Sequence, residues 1–255
     1  MWIAAWRAHT HMWLQMLAPR VTPMRALFSR AHVTRSSLRS RMQRSSRNSR
    51  ASLTPEGAIY AVVGANLAVF GAWNYASWQA RGGDGRTTKF MLRNFTSSEE
   101  NIRAGRWWTL LTASISHYST SHLALNMLGF VFTAPPIARA IGARRLLTLY
   151  CGAGTAGAIS SIVWPHISGS RRTQRTLGAS GAVYGILSTF ACLNPNATFL
   201  LFFVVPVPAW MCVAGLLAWD TYSALNPRQG DHTDSPGHVG GLLAGVAFSR
   251  FLPLL

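Results

Sequence analysis

Five stretches of this chain carry no Lys, Arg, Asp or Glu: residues 57–80, 107–138, 146–170, 176–219 and 235–249. A bilayer span needs about 20 mostly apolar residues, so each of the first four gaps has room for a helix. The fourth, 176–219, is interrupted by Asn194-Pro195-Asn196, a turn signal, and reads as two helices. The fifth extends to Leu255 if Arg250 snorkels to the headgroups. The pattern predicts six helices, at 57–78, 117–138, 146–165, 179–193, 198–218 and 237–254. Pro206 and Pro208 fall inside the fifth, tolerable where neighbours satisfy the freed carbonyls. The connection 81–116, with Trp107 and Trp108, is expected to lie partly in the membrane interface. No internal repeat is evident. The expected fold is an all-α polytopic membrane bundle of six transmembrane helices over residues 55–255.

Composition agrees. Charged residues make up 12% of the chain, about half of the roughly 25% usual in soluble domains, which argues against an ordinary soluble enzyme. A net charge of +17 would suggest nucleic acid. Residues 1–50, however, hold ten Arg and no acid, and the remainder is too apolar, so no nucleic-acid partner is expected. Residues 1–54 read as a basic organelle-targeting leader, disordered or removed: Trp2, Trp6, Trp13 and Leu17 share one helical face, with Arg7 and His11 off it. The alternative is a basic tail on anionic lipid or RNA. Cys151, Cys192 and Cys212 show no CxxC spacing, which excludes a disulfide scaffold or a zinc ribbon. No metal or cofactor is expected, since His9, His11, His32, His166 and His232 lack ligand spacing.

Polar groups inside membrane helices are costly, so each is a functional candidate. His122 and Asn126 are spaced i, i+4 on one face near the start of helix two, and His117 precedes them. Read alone, they form an interhelical hydrogen-bond pair as readily as a site. Ser180 lies at the start of helix four in Leu177-Gly-Ala-Ser-Gly-Ala-Val-Tyr-Gly185. Gly178 and Gly181 allow close approach there, and the helix N-terminus offers free N–H groups to an oxyanion. Gly181 and Gly185 also make a GxxxG, which by itself is a packing motif. His238 opens helix six, followed by a second GxxxG, Gly241 and Gly245.

The combination is more specific than its parts. Helices two, four and six begin on the same side of the membrane, so all three clusters lie at similar depth. Two small-residue stripes let helices four and six pack closely, which brings His238 toward Ser180. A serine hydroxyl beside an imidazole is an activated nucleophile, and His122 and Asn126 can donate to a tetrahedral oxyanion. Tyr184, one turn after Ser180, can stack on the His238 ring. Asp220, Asp231 and Asp234 fall in loops or at helix ends, so a Ser–His dyad without a carboxylate is expected.

His-x-x-x-Asn on helix two, Gly-x-Ser-Gly-x-x-Tyr-Gly on helix four and His-x-x-Gly-x-x-x-Gly on helix six resemble the rhomboid intramembrane serine proteases. The matching residues are His122 and Asn126; Gly178, Ser180, Gly181, Tyr184 and Gly185; and His238, Gly241 and Gly245. The resemblance implies Ser180 as nucleophile, His238 as general base, and His122 and Asn126 lining the oxyanion hole. Asn94-Phe95-Thr96 through Gly105-Arg-Trp-Trp-Thr-Leu-Leu-Thr112 is similar to the first loop of the mitochondrial-type branch, although the family's frequent Trp-Arg pair stands here as Arg106-Trp107. The extra span that often precedes the core in animal and yeast mitochondrial members is not found between residues 1 and 55. The implied substrates are single-span or polytopic membrane proteins in the lipid bilayer, and the implied location is the mitochondrial inner membrane, with a plastid membrane as the alternative. The competing readings are an inactive relative that binds client helices and a small transporter. Lys and Arg counts on the two sides place the helix-two start toward the matrix without the leader, and away from it with the leader retained.

Overall fold

The computed structural model describes residues 53–169, 175–201, 204–227 and 233–252. The leader expected at 1–54 lies outside them except for Leu53 and Thr54. Six long helices dominate: α1 (Pro55–Arg81), α5 (Thr120–Ile141), α6 (Ala143–Ser168), α7 (Ser180–Leu193), α8 (Ala209–Leu225) and α9 (Ser235–Phe251). Between α1 and α5 lie short helices α2 (Arg86–Asn94), α3 (Glu99–Arg103) and α4 (Thr109–Thr112) and a 3₁₀ turn, Ala113–Ile115. Of the described helices, α1, α5 and α6 are long and apolar enough to cross a membrane, and α7 is a shorter apolar helix.

Local chemistry sets the ends. Thr54 caps α1 by accepting the Gly57 N–H, with Pro55 at the first position. Ser119 accepts the His122 N–H, which starts α5 three residues later than the expected 117. Gly142, at φ +85°, turns the chain directly from α5 into α6.

The expected fifth helix is corrected. Strand β1 (Thr198–Leu201) pairs antiparallel with β2 (Val205–Pro208), Thr198 opposite Pro208 and Leu201 opposite Val205. Among the described residues the bundle is thus helical apart from one two-stranded ribbon. Pro206 and Pro208 lack N–H groups, and β-branched Val205 and Val207 flank Pro206, so the segment favours extended backbone. Helix α8 begins after Pro208 and ends at Leu225, seven residues beyond the expected 218.

Phe130, Ile137, Leu146, Leu149 and Ile186 from α5, α6 and α7 fill the buried core. A satellite cluster, Val69, Trp73, Ala76 and Met91, seats α2 on α1. Large apolar side chains also point outward, among them Leu125 at 70% exposure, Phe132 and Trp78. Helices apolar inside and out suit hydrocarbon rather than water.

Candidate active site

Ser180 is the first residue of α7. The strand leading to it is pinned at three points. Ser97 and Thr176 exchange backbone hydrogen bonds of 2.8 Å, Gly178 N donates to Ala113 O at 2.9 Å, and Ala179 N donates to the buried His117 Nε2 at 3.2 Å. Gly178 has φ +138°, and a Cβ there would lie 2.5 Å from His122 Cε1. Only glycine therefore allows the turn and the His122 ring to coexist. Burial, with His122 adding to it, pushes His117 down to about 4, which keeps Nε2 free to accept.

His238 stands in the first turn of α9. Its ring stacks on Tyr184 of α7, with centroids 4.3 Å apart and planes at 24°. Its Nδ1 lies 2.9 Å from Asp220 Oδ1 on α8, and Asp220 is 2% exposed. This overturns the expectation of a site without a carboxylate. A fifth helix at 198–218 leaves Asp220 just past its end. With the start moved behind Pro208, Asp220 falls three turns inside the helix. The proline pair was the signal that could have found it.

The contact of α7 with α9 is glycine against backbone. A Cβ on Gly241 would lie 2.2 Å from Gly181 O, and one on Gly245 would lie 2.0 Å from Gly185 O. One on Gly185 would lie 2.3 Å from Ala153 Cβ of α6. Ser188 Oγ donates to Leu242 O at 2.8 Å, and Thr189 Oγ1 to Gly245 O at 2.9 Å, further linking the pair. These contacts hold α7, which Ser180 begins, against α9, whose first turn carries His238. Among the described residues the Ser180 hydroxyl makes no hydrogen bond, so no direct Ser180–His238 bond closes in this structure. Such bonds are often long before substrate binds.

His122 faces Gly178 and meets His117 edge to face at 5.0 Å. Asn126 Nδ2 donates to His122 O at 2.9 Å, leaving its second amide hydrogen available. A cavity of about 20 Å³, lined by Ser180, Gly178, Ser114, Gly157, Asp234 and Gly237 among others, adjoins the serine. It has room for about one water. Asp234 pairs with Ser161 on α6, a residue that no motif in the sequence marks.

The Rhomboid domain family model matches residues 104–253. The chain is 31% identical over 202 residues to Rhomboid protein 1, mitochondrial, of Saccharomyces cerevisiae, covering 78% of this chain and 54% of that one. It is 32% identical over 212 residues to RHOMBOID-like protein 12, mitochondrial, of Arabidopsis thaliana, covering 78% and 59%. Rhomboid protease GluP of Bacillus subtilis is 31% identical over 174 residues, covering 67% and 31%. The chain spans a little over half the length of the first two relatives.

Proposed function

The chain belongs to the rhomboid family, and on that premise we propose that it is an intramembrane serine endopeptidase of the mitochondrial inner membrane. Its six long helices span the bilayer, and its substrates are membrane proteins cut in or near their transmembrane segments. The observation that carries this reading is the His238 imidazole, oriented by Asp220 at 2.9 Å and by the Tyr184 ring where α9 meets α7, the helix that Ser180 begins.

Asp220 fixes the tautomer. Its carboxylate takes the Nδ1–H, which leaves Nε2 bare as the base. Ser180 Oγ attacks the scissile carbonyl while Nε2 accepts its proton, and the imidazolium returns that proton to the leaving amine. The charge on Asp220 stabilises the imidazolium meanwhile. The tetrahedral oxyanion receives the Ser180 N–H at the α7 N-terminus, His122 and Asn126. Water released into the site then hydrolyses the acyl-enzyme by the same base. A substrate helix must unwind to present its carbonyl, so small or helix-weakening residues near the cut are expected.

Purified protein in proteoliposomes, offered a single-span reporter with a Gly/Ala-rich upper half, tests the reading. Cleavage by wild type, abolished in Ser180→Ala and His238→Ala, supports it. No cleavage by a folded preparation that also resists a serine-reactive fluorophosphonate sinks it in favour of client binding.

A further inference from the structure

A second carboxylate stands near His238, and the mechanism above gives it no role. Asp234 caps α9: its Oδ1 accepts the Gly237 N–H at 3.1 Å, and its backbone carbonyl accepts the His238 N–H at 3.0 Å. Its two carboxylate oxygens also lie 2.7 and 2.6 Å from Ser161 Oγ, a buried hydroxyl on α6. A cap alone needs one acceptor, and Ser or Asn supplies that without enclosing a charge. Enclosure pushes the Asp234 carboxyl above its ordinary range, while Ser161, the His238 charge and the Gly237 N–H pull it back.

The place of the tether matters as much as its chemistry. Ser161 sits one turn from Gly157, where a Cβ would lie 2.8 Å from Gly237 O and 3.4 Å from Gly181 Cα. The turns of α6, α7 and α9 that meet here are those that carry Ser161, Ser180 and His238. Asp220 from α8 and Tyr184 from α7 touch the imidazole, and His122 from α5 and Asp234 from its own helix start act on it electrostatically. From α6 the contribution is the neutral Ser161 hydroxyl, acting through Asp234.

Building on the protease reading, we infer that Asp234 is a positioning residue. Held by Ser161, it sets the rotation and height of the first turn of α9, so that His238 meets Tyr184 and Asp220 together.

Variants at the two positions separate the tether from the cap. Ser161→Ala keeps the cap and loses the tether, and Asp234→Asn keeps the cap and an oxygen that still accepts from Ser161. In proteoliposomes, Ser161→Ala is expected to lower kcat at least about fivefold, with KM within about twofold. Asp234→Asn is expected to stay within about twofold of wild type, whereas Asp234→Ala, which loses cap and tether together, falls at least as far as Ser161→Ala. Wild-type kcat in a folded Ser161→Ala, or a folded Asp234→Asn that falls as far as Asp234→Ala, overturns the inference. If wild type itself cleaves nothing, the protease reading is what fails. The ¹⁵N spectrum of the His238 ring in detergent then decides this inference alone: a ring signal displaced in Ser161→Ala supports it, and an unchanged one overturns it.

Discussion

His238 Nδ1 and Asp220 Oδ1 lie 2.9 Å apart across the contact of α8 with α9. Asp220 is buried, so this bond is shielded from solvent. Asp220→Asn keeps the shape but can turn an N–H toward Nδ1 and favour the wrong tautomer. A loss of kcat of about 10²-fold or more is expected, with KM little changed. Reporter cleavage under saturating substrate measures it. A variant with near wild-type kcat would show that Tyr184 stacking alone orients the imidazole.

How much of this site could be read beforehand depends on the range of the interaction. The i, i+4 pair His122 and Asn126, and the two GxxxG stripes, are periodic features of single helices, so their facing sides follow from the residue spacing. Tyr184 lies one turn from Ser180 for the same reason, and the structure stacks it on His238. Asp220 and Ser161 reach the site from other helices, so no single-helix periodicity points to them. Asp220 was further hidden by the apolar run 198–218. An apolar run does not distinguish a helix from a strand, and its proline pair makes the first half a hairpin.

The glycine contact makes a stability prediction. In Gly245→Ala the new methyl would sit 2.0 Å from Gly185 O, a backbone atom that cannot rotate away. Helices α7 and α9 must separate, at a cost of at least about 2 kcal/mol. The thermal midpoint in detergent should fall and cleavage should be lost, although Ser180 and His238 are intact. Gly64→Ala on α1 meets nothing within 4 Å and should be neutral or stabilising by up to about 1 kcal/mol. Equal midpoints for the two variants would refute the close-contact account.

On the oxyanion side, His122→Ala and Asn126→Ala should each lower kcat by about 10²–10³-fold while leaving fluorophosphonate access to Ser180 in place. Gly178→Ala should be worse than either. It strains a φ of +138° and drives the His122 ring aside, since the added Cβ would lie 2.5 Å from Cε1. Comparing kcat across the three variants tests the order. A mild Gly178→Ala would mean that the loop before Ser180 has another arrangement open to it.

His117 predicts how stability responds to acid. Burial lowers its folded value to about 4, against 6.5 for the free side chain, so below neutrality the unfolded chain binds the proton more readily. Its contribution is therefore complete above about pH 6.5, shrinks as the pH falls, and is spent once the pH passes about 4. Structurally, protonation removes the lone pair that accepts the Ala179 N–H, the bond that seats the backbone just before Ser180. The thermal midpoint should thus decline between pH 6.5 and 4 more steeply in wild type than in His117→Gln, whose amide oxygen can accept the same N–H without titrating. Parallel declines in the two proteins would assign the acid sensitivity to other groups and leave His117 with a steric role.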